Sequence, residues 1–265
     1  MSDTLVVNEI YVSLQGESTF AGLPCIFVRL TGCGLRCSYC DSAYAFTGGR
    51  KITLAEVRDT VGRLAAPFRP LQAGAGAGGP APRPERGSRR GEPRSARLPL
   101  VELTGGEPLR QRNSLPLMTA LCEEGFTVLL ETSGAWDISR VDRRVRRIMD
   151  LKCPSSGEVE RNRWENLRHL SPTDEVKFVI GTREDYAWAR EQLARHRLAE
   201  RCPILFSWAS PLRPHQREVS LRPVPAGQTP LSRRGLAEQI LAEALPVRFQ
   251  LQLHKFIWPS DRKGV

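Results

Sequence analysis

Short apolar stretches alternate along most of the chain with stretches whose apolar residues recur at helical spacing. The apolar stretches predict strands at 25–32, 98–106, 126–134, 147–153, 174–181, 202–209 and 247–257. The stretches between them predict helices at 53–65, 114–125, 162–169, 183–196 and 232–245. Strands that are apolar on both faces and separated by helices are typical of parallel sheets. The pattern therefore predicts an α/β fold with a mostly parallel sheet and crossover helices, either open or closed into a barrel.

Unusual polar and glycine-rich segments follow several of these strands. They read GC at 32–33, TGGEP at 104–108, ETSG at 131–134, KCPSS at 152–156 and SWASP at 207–211. In parallel α/β folds the carboxyl ends of the strands meet at one edge of the sheet, where ligands bind. We therefore expect these segments to surround a single site.

The net charge of +10 at pH 7 is unevenly placed. Residues 67–99 contain seven arginines and two glutamates, a net charge of +5, among many glycines, alanines and prolines. Because this stretch has little to bury, we predict a disordered insertion within a single domain that spans 1–265. A second basic cluster, at 140–150, is interpreted as a charged helix face or turn. No nucleic-acid-binding motif accompanies either cluster, so we expect no nucleic-acid partner.

The lack of a membrane-spanning or signal segment and the arrangement of the cysteines point to a reducing compartment. No stretch of eighteen apolar residues is present, and the first residues lack the basic and hydrophobic regions of a secretory signal, so we expect no membrane association and a cytoplasmic location. Seven cysteines, three of them crowded together, favour metal or redox chemistry over disulfides. The other four are interpreted as small core residues: Cys25, Cys122, Cys153 and Cys202.

The crowded cysteines, Cys33, Cys37 and Cys40, have the spacing CxxxCxxC on one short loop. A structural zinc site needs four ligands, commonly supplied as two separated pairs. Three thiolates on one loop can instead hold three corners of a cubane iron–sulfur cluster, which leaves one iron free for an external ligand. Gly32 and Gly34 allow the loop to wrap around such a cluster. The spacing favours the cluster and leaves zinc as the alternative.

This cysteine spacing, with Tyr39 just before the third cysteine, resembles the signature of the radical S-adenosylmethionine (radical SAM) superfamily. The segment TGGEP at 104–108 is similar to the GGE motif of that superfamily. Its glycines permit a close approach of the backbone, and the Glu107 carboxylate can accept hydrogen bonds from a cationic amine. The resemblance implies a partial (β/α) barrel of the radical SAM type that binds a [4Fe-4S] cluster and SAM.

Further segments resemble the 7-carboxy-7-deazaguanine synthase family within this superfamily. They are EIYVSLQGEST at 9–19, AGLPCIFVRLTGC at 21–33, DLKCPSSG at 150–157 and RFQLQLHKFIW at 248–258. The likeness covers nearly the whole chain except the insertion. It implies a lyase that forms 7-carboxy-7-deazaguanine from 6-carboxy-5,6,7,8-tetrahydropterin in queuosine and deazapurine biosynthesis, a pathway of tRNA modification.

The resemblance also implies which residues bind the substrate and a magnesium ion. The substrate contacts are Leu14, Gln15, Gly16, Arg29, Thr104 and Pro259. Arginine is a natural bidentate partner of the substrate carboxylate, and Arg29, within an apolar strand, is expected to be buried and paired. Ser42 would supply a hydroxyl to Mg²⁺, where many members carry threonine. The chain continues from Pro259 to Val265, which departs from the family pattern.

For SAM, the resemblance implies a set of contacts around the cysteine loop and the strand ends. They are Tyr39, Cys40, Asp41, Gly106, Glu107, Ser133, Lys152, Cys153, Pro154, Ser155 and Ser207. The segment SWASP, which contains Ser207, departs from the family pattern. The implied metal ligands are Cys33, Cys37 and Cys40 for the cluster and Ser42 for Mg²⁺.

In the mechanism that the resemblance implies, SAM chelates the free iron of the cluster. One electron from the reduced cluster, supplied by a donor such as flavodoxin or ferredoxin, cleaves SAM to a 5′-deoxyadenosyl radical. The radical takes hydrogen from C6 of the pterin, whose ring contracts with loss of ammonia. Mg²⁺ acts as Lewis acid and template, and the family resemblance also implies a homodimer.

Two other functions remain open on the sequence. A glycyl-radical activating enzyme shares a CxxxCxxC loop and a small barrel, but it does not account for LQGEST at 14–19. A zinc-containing nucleic-acid-binding protein would suit the positive charge and the three thiols. The metal content separates the classes, since about four irons per chain support the cluster and a single zinc refutes it.

Overall fold

The computed structural model describes residues 3–68, 98–259 and 262–265, and these residues form one nine-stranded sheet. The strands are β1 (Thr4–Leu14), β2 (Pro24–Leu30), β3 (Arg50–Thr53), β4 (Leu100–Gly105), β5 (Val128–Thr132), β6 (Arg146–Leu151), β7 (Glu175–Ile180), β8 (Ile204–Trp208) and β9 (Arg248–Gln250). Their order is β3-β1-β2-β4-β5-β6-β7-β8-β9. All neighbouring pairs from β2 to β9 are parallel, and β1 pairs antiparallel with β2 and β3. The predicted mostly parallel sheet is confirmed.

Helices cross between the parallel strands much as the sequence predicts. They are α1 (Leu54–Ala65), α2 (Ser114–Glu123), α3 (Arg183–Arg195), α4 (Arg233–Ala242) and the single-turn α5 (His254–Ile257). A capping box of Thr53 and Glu56 begins α1, and the backbone after α2 turns at Gly125, whose φ is +83°. The helix predicted at 162–169 is a 3-10 helix at Trp164–His169.

The two faces of the sheet carry different apolar groups. Outward-facing residues of the strands, such as Val101 and Leu103, pack against the helices in the main core. Inward-facing residues form a smaller apolar cluster, which contains Cys25, Phe27, Leu100, Leu129, Ile148 and Leu205. Because strand side chains alternate with a period of two, the next inward-facing positions lie two residues further along each strand. Those positions form the candidate site.

The sheet curves, and the loop after β1 bridges its open side. Gln250 of β9 donates from Nε2 to the carbonyl of Ser18 (2.7 Å), and the amide of Thr19 donates to the carboxylate of Glu175 on β7 (3.1 Å). This closure is consistent with the predicted partial barrel. Among the described residues, none of the helices has the length and apolar character needed to cross a membrane.

Three features differ from the sequence predictions or lie beyond them. The strands β1 and β3 were not predicted, because β1 mixes polar and apolar residues and β3 has only four residues. The strand predicted at 247–257 ends with β9, since the amide of Leu253 donates to the carbonyl of Gly16 (2.9 Å) and the chain then forms α5. The predicted insertion lies outside the described residues, apart from 67–68 and 98–99.

Candidate active site

On four strands the inner face carries an apolar residue and, two positions later, a charged one. The pairs are Phe27 and Arg29, Leu100 and Glu102, Leu129 and Glu131, and Ile148 and Asp150. The same alternation that buries the apolar member of each pair turns the charged member inward. All four charged residues line a cavity of about 700 Å³ that opens at the carboxyl edge of the sheet.

The cysteine loop, residues 33–40, forms one wall of this cavity, and all three of its thiols line it. The turn that follows β6 supports the loop from behind. Ser38 donates from its amide to the carbonyl of Ser156 (3.1 Å) and from Oγ to the carbonyl of Ser155 (2.6 Å). The Glu158 carboxylate accepts a hydrogen bond from the amide of Arg36 (2.8 Å). The segment KCPSSGE thus holds the cysteine loop in place.

The glycines of TGGEP permit the close approach that the sequence predicts. A Cβ atom on Gly106 would lie 2.2 Å from the carbonyl oxygen of Gly32, so any side chain there would collide with the start of the cysteine loop. The amide of Gly106 donates to the carbonyl of Leu30, and the amide of Glu107 donates to that of Gly32 (3.0 and 2.8 Å). The two predicted motifs therefore meet at the ends of β2 and β4.

The three thiols can serve as ligands of an iron–sulfur cluster. They open on one cavity, and the amide of Leu35 donates to Cys33 Sγ (3.4 Å), a contact that favours a thiolate ligand. Within the described ranges, no three Cys, His, Asp or Glu side chains converge on one point as they stand. Burial raises the pKa of Cys37 to about 11 and that of Cys40 to about 12, so iron must displace protons from these thiols.

Glu107 lies behind the cavity wall, whereas the sequence prediction placed its carboxylate beside the amine of SAM. It is completely buried, and its carboxylate accepts hydrogen bonds from Thr132 Oγ1 (2.8 Å) and from the amide and Oγ of Ser133 (2.8 and 2.5 Å). The amide of Leu109 donates a further hydrogen bond (3.1 Å). The carboxylate is thus held by hydrogen bonds at the end of β5. It positions Ser133, which does line the cavity.

The predicted SAM contacts at 152–155 divide between the cavity and the interior. Lys152 lines the cavity. Cys153 is fully buried in the main core, in agreement with its interpretation as a core residue. Pro154 and Ser155 lie behind the cysteine loop, where the amide and Oγ of Ser155 donate to the Asp185 carboxylate (2.7 and 2.5 Å). Only Lys152 of these four therefore faces the space that a ligand would occupy.

Most predicted substrate contacts share the cavity. Those that line it are Leu14, Gln15, Gly16, Arg29 and Thr104. Arg29 is largely buried, with a side chain 13% exposed, and it is paired as expected. Its Nε donates to Glu9 Oε1 and its Nη2 to the Tyr11 hydroxyl (2.7 Å each). Pro259 does not line the cavity. The residues 262–265 line it instead, and Lys263 Nζ lies 4.3 Å from the centre of the Tyr44 ring.

The remaining predicted contacts also reach the cavity. They are Tyr39, Asp41, Ser42, Gly106 and Ser207. Ser42 Oγ donates to Asp41 Oδ1 (3.0 Å), and Ser207 Oγ donates to Glu17 Oε1 (3.3 Å). Sequence reasoning did not single out the C-terminal residues Gln252, His254 and Lys255, which also line the cavity.

A charged group around Lys177 in the centre of the barrel was also missed. Lys177 Nζ pairs with Glu17 Oε2 (3.1 Å) and with the Glu131 carboxylate, and Gln15 donates to the neighbouring Glu102. Burial raises the pKa of Glu131 to about 7 and that of Glu102 well above its usual value. The strand periodicity contained part of this signal, because Glu102 and Glu131 stand two residues after the inward-facing Leu100 and Leu129.

The raised pKa of Glu131 predicts that stability depends on pH. In the unfolded chain this carboxyl has its ordinary pKa of 4.5, whereas in the folded protein its pKa is about 7 and it keeps its proton up to that pH. The folded state therefore binds more protons in this range, and the contribution of Glu131 to stability falls as pH rises from about 4.5 to 7. We expect Glu131→Gln, which cannot ionise, to flatten this fall in urea unfolding at pH 5 and 8. Glu123→Gln, on an exposed position of α2, is the control, and an unchanged slope in Glu131→Gln would contradict the prediction.

A partial, mostly parallel barrel with a CxxxCxxC loop and a GGE turn at its carboxyl edge defines the radical SAM class of enzymes. The 7-carboxy-7-deazaguanine synthase of Koribacter versatilis (strain Ellin345) is 42% identical over 261 residues, which cover 98% of this chain and 99% of that protein. The synthase of Chlorobaculum tepidum is 39% identical over 264 residues, with 98% and 97% covered. The chain belongs to the 7-carboxy-7-deazaguanine synthase family of enzymes.

The structural comparison agrees at the level of the fold. The crystal structure of QueE from Escherichia coli matches with a TM-score of 0.62 and 21% sequence identity, and the match covers 95% of each chain. No protein-family model matches the chain.

Proposed function

We propose that this enzyme converts 6-carboxy-5,6,7,8-tetrahydropterin to 7-carboxy-7-deazaguanine with loss of ammonia. The product and ammonia together contain the same atoms as the substrate, so the conversion needs no net oxidant or reductant. The observation that carries the proposal is that one cavity holds the three thiols of the cysteine loop and the guanidinium of Arg29. A radical source on one wall and a carboxylate partner on another suit a small carboxylated substrate.

The cysteine loop and the wall beside it would hold the cofactors. Cys33, Cys37 and Cys40 would hold the [4Fe-4S] cluster. When bound, the reduced cluster and SAM supply a carbon radical that removes hydrogen from C6 of the substrate. The proposed SAM contacts on the cavity wall are Tyr39, Cys40, Asp41, Gly106, Ser133, Lys152 and Ser207. Behind this wall Glu107, Cys153, Pro154 and Ser155 would keep the contacts in position.

Arg29 would orient the substrate through its carboxylate. The carboxylate of Glu9 and the hydroxyl of Tyr11 fix its guanidinium on one side, while its Nη1 has no hydrogen-bond partner among the residues that the structure describes. A guanidinium stays charged at every relevant pH and presents its donors in a rigid plane. Leu14, Gln15, Gly16 and Thr104 would enclose the ring system, and Pro259 stays a prediction as a substrate contact.

Ser42 would contribute its hydroxyl oxygen to Mg²⁺. Because Ser42 Oγ gives its proton to Asp41 Oδ1, its lone pairs are available to a cation in the cavity. Magnesium prefers oxygen ligands, and few of them from the protein, so the substrate carboxylate and water would complete its shell. The ion would neutralise the carboxylate and act as Lewis acid and template during ring contraction.

The proposal extends to the surroundings of the enzyme. A one-electron donor such as flavodoxin or ferredoxin would reduce the cluster, and the enzyme would work as a single-domain chain in a cytoplasmic homodimer. Its product would enter queuosine or deazapurine biosynthesis. The family relationship supports each of these statements.

An anaerobic assay tests the proposed function. The reconstituted enzyme is incubated with SAM, dithionite, Mg²⁺ and 6-carboxy-5,6,7,8-tetrahydropterin, and the products are separated by chromatography. We expect 7-carboxy-7-deazaguanine, in lower yield when chelator replaces Mg²⁺. SAM cleavage without the deazaguanine would favour another radical SAM reaction, such as glycyl-radical activation. A single zinc in place of about four irons would favour the zinc-containing alternative.

A further inference from the structure

The C-terminal residues 252–257 contact the substrate loop, residues 14–17. The amide of Leu253 donates to the carbonyl of Gly16 (2.9 Å). The imidazole of His254 lies so close that a Cβ atom on Gly16 would be 2.6 Å from its Nδ1. The position of the substrate loop therefore depends on where the C-terminal residues lie.

The same residues also contact Asp41, which directly follows the cysteine loop. Lys255 Nζ lies 2.6 Å from Asp41 Oδ2, and Gln252 Nε2 donates to the same oxygen (2.9 Å). The Lys255 side chain is 9% exposed and that of Asp41 is 24% exposed, so water screens this ion pair weakly. Burial by itself raises the pKa of Asp41, but the charge of Lys255 and the two hydrogen bonds hold it well below its usual value.

The contacts of Lys255 and Gln252 with Asp41 also restrict the residues next to Asp41 in the chain. It follows the cluster ligand Cys40, and its second oxygen, Oδ1, accepts the hydroxyl proton of Ser42 (3.0 Å). Both oxygens of the carboxylate are thus occupied by protein donors. Asp41, which is also a proposed SAM contact, thereby fixes the direction in which the Ser42 hydroxyl presents its lone pairs.

We propose that Lys255 and Asp41 form a positioning pair that fixes the Ser42 hydroxyl and couples the substrate loop to the cysteine loop. The proposal rests on the proposed function in so far as Ser42 is taken to bind Mg²⁺. The contacts that define the pair run between protein side chains, so the proposed coupling of the two loops is argued without the ion. Neither residue is required to touch the reacting atoms.

The test compares Lys255→Met and Asp41→Asn with the parent enzyme. Lys51→Met, at an exposed position on β3, is the matched control. In hydrogen exchange on the full-length reconstituted enzyme, we expect the amides of 14–17 and 40–42 to exchange about tenfold faster in both variants, because each loses a charge-assisted hydrogen bond. We also expect the Mg²⁺ concentration for half-maximal activity to rise about tenfold in both. Lys255→Arg, which keeps the charge, should exchange and respond to Mg²⁺ nearly as the parent enzyme does.

Each outcome decides the proposal. Faster exchange in both loops supports it, and unchanged exchange in either loop overturns it, even where 252–257 becomes mobile. If Lys255→Met does not fold, the double variant Asp41→Asn/Lys255→Met, which leaves no unpaired charge, is measured instead. If the parent enzyme makes no deazaguanine, the proposed function fails, and the exchange result still decides whether the pair couples the two loops.

Discussion

Cys37→Ala is expected to lose the iron–sulfur chromophore and all product formation. Cys37 is the most buried of the three cysteines, at 7% exposure, and it lines the cavity together with the other two. With only Cys33 and Cys40 remaining, two corners of the cluster lack a protein ligand, and cluster binding fails. Because the chemistry belongs to the bound cofactors, no residual pathway remains through the other residues of the site.

The measurements are iron and sulfide content, visible absorption after anaerobic reconstitution, and product formation. The matched control is Cys122→Ala, since Cys122 is a half-buried cysteine on α2, outside the cysteine loop. This control should keep about four irons per chain and full activity. Full activity of Cys37→Ala would overturn both the cluster ligands and the proposed function, whereas equal loss in both variants would point to a general requirement for thiols.

Lys177→Met is expected to destabilise the fold by roughly 3–5 kcal/mol at pH 8. The Lys177 side chain is 5% exposed, and its ammonium neutralises carboxylates of Glu17 and Glu131 in the centre of the barrel. Methionine fills a similar volume without a charge, so the two carboxylates stay largely enclosed without a counter-charge. Such groups either keep a high energy or take up protons, which makes the loss larger at pH 8 than at pH 5.

Urea unfolding at both pH values, followed by circular dichroism, measures this loss. Lys51→Met makes the same chemical change at an exposed strand position and should alter the free energy of unfolding by less than about 0.5 kcal/mol. If Lys177→Met lowers the free energy of unfolding as little as the control does, the prediction is wrong, and water or a rearrangement stabilises the carboxylates in place of Lys177. An equal loss at pH 5 and pH 8 would contradict the role of unpaired charge.

Much of the fold could be predicted because parallel strands buried on both faces leave long apolar runs. The strands β2 and β4 to β8 all overlap predicted runs, and the capping box of Thr53 marks the start of α1. The failures have a common cause. The strand β1 is antiparallel and partly exposed, and the residues after β9 form hydrogen bonds with the loop at Gly16, so neither segment has the pattern of a buried parallel strand.

The parts of the candidate site that short sequence motifs encode could be predicted, and the parts that depend on distant residues could not. The cysteines and the glycines of TGGEP act through spacing within a few residues, and the structure brings both motifs to one edge. The direction of a single side chain is not local information. Glu107 turns away from the cavity because Ser133, directly after β5, donates two hydrogen bonds to its carboxylate. The sequence spacing does not show whether the Glu107 carboxylate will bind Ser133 or face the cavity.

By itself the sequence determined the type of fold, the three-thiol loop and the family, because these depend on periodicity and short motifs. Only the tertiary structure decided which charges meet. Lys177 and Glu17 are 160 residues apart in the chain, and Gln252 and Asp41 are 211 apart, yet each pair forms a partly buried contact at the cavity. A charged side chain has many possible partners in a sequence, and the curvature of the sheet and the return of the C-terminal residues across its open side select one.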